Sequence, residues 1–239
     1  MTMLVVAVNG AMRSGKNTLV DHLKQRLQPT VRHTEVAFAR PVKSMLKALM
    51  GDEAFLRAEA DRGMVWAPAG ISYRNLMRTL GSGWGRDLVD ADLWANIGIM
   101  TIEQFFKEAE RIAIDAEDHD RHAVVFVTDL RFANELHRLR DFNHLIVTVE
   151  RDGCGWSSMT AWQKLKHYLW IERVHDSERP LEAAYEKAYG AYCPFGMPQG
   201  AFNWIRVYNE GNPWNMTNVV LTTLLNNDRF GGSAVWRNS

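Results

Sequence analysis

The sequence predicts an α/β protein with a mostly parallel central sheet and helices on both faces. Three observations predict it. Short Val-rich apolar runs recur at residues 4–8, 123–128 and 145–149, the pattern of strands buried on both faces. The segments between them carry apolar residues at helical spacing, such as Leu19, Val20, Leu23 and Leu27, or Tyr73, Leu76, Met77 and Leu80. Strands that alternate with helices need crossover connections, which set successive strands parallel in one sheet.

The first run stops at Asn9-Gly10, and a helix is expected over residues 16–27, closed by Pro29. Residues 34–38 read as a second strand. Residues 41–50 read as a helix, with Val42, Met45, Leu46 and Leu49 on one face and Pro41 in its first turn. Residues 51–70 are mixed and turn-rich. Residues 71–80 form an amphipathic helix that Gly81-Ser82-Gly83 is expected to end. A long helix follows over 91–113, then a charged loop, the strand at 123–128, a helix carrying Phe132, Leu136 and Leu139, and the strand at 145–149. Residues 152–180 are irregular or helical and aromatic-rich. Residues 181–190 read as helix, 204–208 as a last strand and 214–227 as a last helix. No internal repeat and no linker divides the chain, so a single domain over 1–239 is expected.

At 239 residues the chain has the length of one large domain. Hydrophobic residues at 46% and charged residues at 23% exclude a disordered or low-complexity chain. Lys and Arg number 28 and so do Asp and Glu. The zero balance argues against a non-specific nucleic-acid coat, which needs a basic excess. Two cysteines, Cys154 and Cys193, are too few for a disulfide scaffold or a four-thiolate zinc site and fit a reducing compartment. The opening apolar run is too short for a signal peptide or a membrane span, and a cytoplasmic protein without membrane contact is expected. The acidic and histidine-rich loop around Asp115, Asp118, His119 and His122 reads as a solvated connection rather than a metal site. Trp156, Trp162 and Trp170 could stack bases or a partner; Trp162 and Trp170 also share an apolar helix face with Leu165 and Leu169.

The chemistry-bearing motif is Gly10-Ala11-Met12-Arg13-Ser14-Gly15-Lys16-Asn17-Thr18, which contains G-x-x-x-x-G-K. Two glycines let the backbone bend so that successive amides point inward at a phosphate. The following helix presents its positive dipole end to the same anion, and Lys16 reaches the β- and γ-phosphates. The motif lies between a buried strand and an amphipathic helix, the context its mechanism requires. Asn17 stands where Ser or Thr normally meets Mg²⁺, with Thr18 beside it, so either residue could face the metal directly or through water.

These residues, with several later blocks, resemble the phage-type deoxynucleoside monophosphate kinases, within the nucleoside-monophosphate-kinase group of P-loop proteins. The resemblance covers most of the chain in scattered blocks. They are residues 13–18, residues 39–43, and residues 73–81 continuing through Trp84-Gly85-Arg86-Asp87 to Asp92-Leu93-Trp94. Further on come Asp129-Leu130-Arg131 with Glu135, His175-Asp176-Ser177-Glu178, and the Asn209-Glu210-Gly211 turn. The stretch 152–174 is longer than the short lid of that family.

The resemblance implies the three-layer P-loop NTPase fold, with an acceptor-binding helical insertion near 51–110 and a lid near 152–180. It implies transfer of the γ-phosphate of ATP, with Mg²⁺, to a deoxynucleoside monophosphate. ATP would be held by Gly10, Arg13, Ser14, Gly15, Lys16, Asn17 and Thr18, with Asn209 and Gly211 at the adenine. The acceptor would be held by Arg74, Arg78, Arg86, Trp94, Arg131, Glu135, His175 and Glu178. Lys16, Arg131, Asp129 and Arg151 would serve the transfer itself, and Asn17, Thr18 and Asp129 the metal. Arg173 and Arg179 would join Arg151 in the lid. A phage-encoded member would act in the host cytoplasm, on small molecules and not on nucleic acid, with a homodimer left open.

Other readings of single residues stand beside these. Asp129 would also suit a helix N-cap, and Arg131 an ion pair with Glu135 four residues on. Arg74 and Arg78, one turn apart, could form an exposed basic face. The rival functions are another P-loop small-molecule kinase, and a P-loop ATPase or nucleotide-binding module acting on a macromolecular partner.

Overall fold

The structure is a computed structural model that describes residues 2–116, 121–152, 181 and 203–237. In chain order the described elements begin with β1 (Met3–Gly10), α1 (Lys16–Gln25), β2 (Arg32–Val36), α2 (Arg40–Met50) and α3 (Asp52–Ala60). A two-residue pair follows, β3 (Val65–Trp66) and β4 (Ile71–Ser72), then α4 (Tyr73–Arg78), a π-helical segment (Thr79–Val89) and α5 (Leu93–Asp115). The chain continues through β5 (Ala123–Val127), α6 (Ala133–Leu139), β6 (His144–Glu150), β7 (Trp204–Tyr208) and α7 (Pro213–Leu225). A short 3₁₀ turn (Asp228–Phe230) and α8 (Gly232–Val235) complete the description. The chain forms two compact units, one of Met1–Val36 with Thr101–Ser239 and one of Ala37–Met100.

The first unit is built on a five-stranded sheet in the order β2-β5-β1-β6-β7. All four pairings are parallel, as the alternation of strands and helices predicts. Strand β1 and its neighbour β5 are central in this sheet. Leu4 to Val8 and Ala123 to Val127 have no exposed surface at all. Leu4, Val6 and Val8 share one face with Val124, Phe126, Leu145 and Val147, and on it pack Leu19, Val20 and Leu23 of α1 with Met216, Val220 and Leu224 of α7. The opposite face, with Val5, Ala7, Val125, Val127 and Ile146, is equally withdrawn from water. A sheet buried on both faces explains why its strands read as continuous apolar runs and not as alternating ones.

Helix α1 stops at Gln25, two residues short of the periodic Leu27. Leu27 instead forms an antiparallel bridge with Trp236. Trp236 is fully buried, donates from Nε1 to Phe230 O at 3.1 Å and meets Phe126 edge-on, with centroids 6.4 Å apart. The second strand begins at Arg32, and the helix after β5 begins at Ala133, because Phe132 is extended at its N-cap.

At the start of β6, His144 is buried and its Nδ1 lies 2.7 Å from Phe142 O. Burial, with the charge of Arg229, holds the imidazole below its ordinary 6.5 against the opposing bonds to Phe142 and Leu139. The folded state therefore keeps this ring neutral where an unfolded chain would protonate it. The stability involved is complete above about pH 6.5 and is lost as pH falls from there through the folded value. Urea midpoints taken from about pH 8 to about pH 5 are expected to drop in that window, and to drop less in His144→Gln.

The second unit has its own small core of Leu46, Ala58, Tyr73 and Leu76. Residues 51–70, which carry no clear sequence pattern, form α3 and one arm of the β3–β4 ladder, where Val65 faces Ser72 and Trp66 faces Ile71. Ser72 then caps α4, its side chain accepting from Asn75 N at 3.3 Å. Lys43 donates to Glu59 at 2.5 Å, and the Tyr73 hydroxyl donates to the same carboxylate. Burial opposes the charged form of Glu59. The bonds from Lys43 and Tyr73, with the charges of Lys43 and Arg62, outweigh it and hold the carboxyl below its ordinary value. Tyr73 is pushed up by its burial and by that same contact.

One expectation is overturned in this unit. Gly81-Ser82-Gly83 does not end the helix; the chain runs on in wide π turns to Val89. Trp94 supplies the reason. Its Nε1 donates to Gly81 O at 2.6 Å, and its ring lies where a side chain on Gly85 would sit, 2.3 Å from that position. The small residues let the turns widen around a buried indole instead of breaking.

Candidate active site

The strand order reverses around β1, so the carboxyl end of β1 is where an open parallel sheet leaves a crevice. The G-x-x-x-x-G-K segment lies at that end. Its curl rests on three residues with positive φ: Gly10 at 134°, Arg13 at 66° and Gly15 at 105°. Arg13 is the one non-glycine with positive φ among the described residues. Such a conformation costs roughly 1–2 kcal/mol, and strain of this kind gathers where a backbone is shaped for a ligand.

Close packing accounts for both glycines. A Cβ on Gly10 would lie 2.3 Å from Val149 O in β6, and one on Gly15 would lie 2.4 Å from Asn209 Nδ2. The loop is tied further by Ser14 N, which donates to Ala11 O at 3.2 Å. Helix α1 begins directly after Gly15 with no side-chain cap on its first turn and no acidic residue in it. Its N-terminal amides and dipole therefore stand at the mouth of the loop, a polarity that favours an anion.

Lys16 points into the loop. Its ammonium donates to Gly10 O at 2.8 Å and Ala11 O at 2.6 Å. Asn17 and Thr18 are exposed on the first turn of α1. Among the described residues, two polar atoms at the end of β1 and in the loop are buried without a hydrogen-bond partner, Asn9 Oδ1 and Ser14 Oγ. A buried polar group without a partner is costly, and a water or a ligand group would satisfy it. Sequence reasoning chose Ser14 but passed over Asn9. The available signal was a carboxamide ending an otherwise apolar strand, directly before the first glycine.

Other chosen residues of the first unit stand at the same edge. Arg151, just past β6, is exposed and donates from Nη1 to Arg13 O at 3.4 Å. Asp129 follows β5, which pairs with β1 up to Ala7 and Val127. It is half-buried. Asp129 does not cap α6, whose N-cap is Phe132. The carboxylate of Glu135 takes the capping role, accepting from the backbone amides of Arg131 at 2.9 Å and Phe132 at 3.0 Å. Glu135 is buried, and it fixes the backbone at Arg131, whose own residue is exposed.

Asn209 is also buried. Its Nδ2 donates to Ser14 O at 2.7 Å, its Oδ1 accepts from Gly211 N at 3.0 Å, and its backbone amide donates to Glu150 O at 2.8 Å. Gly211, at φ 96°, completes that turn.

The remaining candidates lie in the second unit. Arg74 and Arg78 are exposed on α4, one turn apart. Arg86 is half-buried on the π segment. Trp94 is buried and holds Gly81. His175 and Glu178, with Arg173, Arg179 and the tryptophans of 156–170, lie outside the described residues, as does nearly all of the expected lid. Among the described residues no cluster of three His, Cys, Asp or Glu side chains is placed to hold a metal. No described helix is long and apolar enough to cross a membrane.

No family model and no curated protein matches the sequence. Among solved structures the chain is similar to a sugar kinase from Janibacter sp. (14% identity, covering 93% of this chain and 94% of that one, TM-score 0.34). It is also similar to a gluconokinase from Sinorhizobium meliloti (13% identity, covering 90% and 87%, TM-score 0.33). At such scores the overlap is partial, and the reading of the site rests on the chain's own geometry.

Proposed function

We propose that the chain is an ATP-dependent phosphotransferase, and more narrowly a kinase that moves the γ-phosphate of ATP to a deoxynucleoside monophosphate, giving a diphosphate and ADP. The observation that carries this reading is the curled loop after β1, with Lys16 folded over it and an uncapped helix start beneath it. Amides and a fixed cation converging on one point suit a polyphosphate anion.

In this reading Lys16 and the loop amides bind the β- and γ-phosphates. Phosphoryl transfer asks for positioning and charge neutralisation more than covalent work, and these groups supply both. Ser14 Oγ gives or receives a hydrogen bond at the phosphates that the protein does not provide. Arg151 stands on the loop's rim, beside Arg13, as a further cation for the moving group. Asn17 or Thr18 and the Asp129 carboxylate fit Mg²⁺, which takes one or two protein oxygens and fills its shell with phosphates and water. Bound there, the ion would offset charge on the β- and γ-oxygens.

On the acceptor side the narrower proposal follows the sequence resemblance. Arg131, Arg74, Arg78 and Arg86 bind the monophosphate, with His175 and Glu178. Glu135 and Trp94 act through the backbone they hold, at Arg131 and Gly81.

The test is a panel of acceptors with ATP and Mg²⁺. Transfer to one or more deoxynucleoside monophosphates is the expected result. Transfer only to other small molecules would leave the phosphotransferase and replace its substrate. ATP hydrolysis indifferent to every acceptor would replace it with an ATPase that serves a macromolecular partner.

A further inference from the structure

The turn after β7 looks, by its sequence, like a base-binding element, but the bonds that Asn209 makes lead elsewhere. We infer that Asn209 is a positioning residue for the phosphate loop: it orients the Ser14–Gly15 peptide and thereby sets affinity for the polyphosphate, with no reading of the base. The inference rests on the ATP site proposed above.

Three observations carry it. First, both ends of the carboxamide are engaged within the protein. Nδ2 donates to Ser14 O at 2.7 Å and Oδ1 accepts from Gly211 N at 3.0 Å, while the residue itself is buried. Second, the peptide whose carbonyl it grips is the one that carries Gly15 N–H. A peptide is planar, so fixing the carbonyl of Ser14 fixes the direction of the next amide. That amide opens the run leading into α1, where a phosphate would sit. Third, Asn209 and Gly15 fit each other. The amide nitrogen occupies the space a Gly15 side chain would need, 2.4 Å from the Cβ position. A glycine at φ 105° has a choice of peptide orientations open to it, and the carboxamide selects one. The clamp also joins the loop to β6, because Asn209 N donates to Glu150 O.

Inorganic tripolyphosphate separates this role from base recognition, since it carries the phosphates and no base. Calorimetric titrations with Mg²⁺ compare ATP and tripolyphosphate on the wild type, Asn209→Ala and Asn209→Asp. Asp keeps the acceptor for Gly211 N but loses the donor to Ser14 O. The expected result is a loss of about tenfold or more for both ligands in either variant, so that their affinity ratio is unchanged, as removal of the buried bond to Ser14 O, which both variants lack, would give. Circular dichroism confirms that each variant is folded, and the Asp variant answers the question where the Ala variant is not.

A loss for ATP with tripolyphosphate untouched would overturn the inference and make Asn209 a base contact. No loss for either ligand would overturn it as well, by showing that the loop holds its shape unaided. A wild type that binds neither ligand would end the ATP-site reading itself, and this inference with it, a failure that no variant comparison can imitate.

Discussion

Lys16→Ala is expected to lower ATP-dependent transfer by about a thousandfold or more, the scale set by loss of a cation or donor that acts on the transferred phosphoryl group. The chain should fold as before. What α1 contributes to the core comes from Leu19, Val20 and Leu23, and the Lys16 ammonium donates to two carbonyls of the loop. Steady-state transfer and far-ultraviolet circular dichroism on the same sample check both halves. Retained turnover would remove the donor site from its assigned place.

Gly10→Ala is expected to act on stability as well as activity. The new methyl group would meet the Val149 carbonyl at 2.3 Å, a backbone atom of a buried central strand that cannot step aside as a side-chain tip could. The φ of 134° adds a conformation that alanine avoids. Overpacking costs about 1–3 kcal/mol and backbone strain about 1–3 kcal/mol, so a total of roughly 3 kcal/mol is expected. For a chain of this size that lowers the thermal midpoint by roughly 6–12 °C. The loop should also be displaced from β6, so ATP affinity falls with stability. A calorimetric scan with an unchanged midpoint would refute the packing argument.

The sheet was legible in the sequence because burial on both faces leaves little room for any other pattern. Residues 4–8 and 123–127 are apolar throughout, residues 145–149 are apolar but for Thr148, and each lies within a central strand. The curl of the loop after β1 was legible because its glycines have steric reasons that a motif records. Periodicity misled where small residues admit two outcomes. Gly81-Ser82-Gly83 reads as a stop, yet a buried indole twelve residues beyond turned it into a widened helix. Leu27 keeps helical spacing, yet it serves a bridge to residue 236.

What the candidate residues hold was less visible in the sequence than where they stand. Glu135 and Asn209 fall where the resemblance puts functional residues, but their polar atoms hold backbone. Such a role depends on where a side chain points after folding, which residue type and spacing do not encode. Asn9 was missed for the complementary reason: its buried carboxamide oxygen stands out only once the atoms around it are known.

The place of Trp236 bears on how the protein is made. Its indole sits in the core beside Phe126 of a central strand, and its backbone bridges Leu27. The interior of the sheet that begins at Met3 is thus completed by a residue far along the chain, at position 236. The small core of Leu46, Ala58, Tyr73 and Leu76, by contrast, lies wholly within residues 37–100. Synthesis at about 5–20 residues per second leaves that unit several seconds of head start, while the nascent phosphate loop waits without the far wall that Asn209 brings.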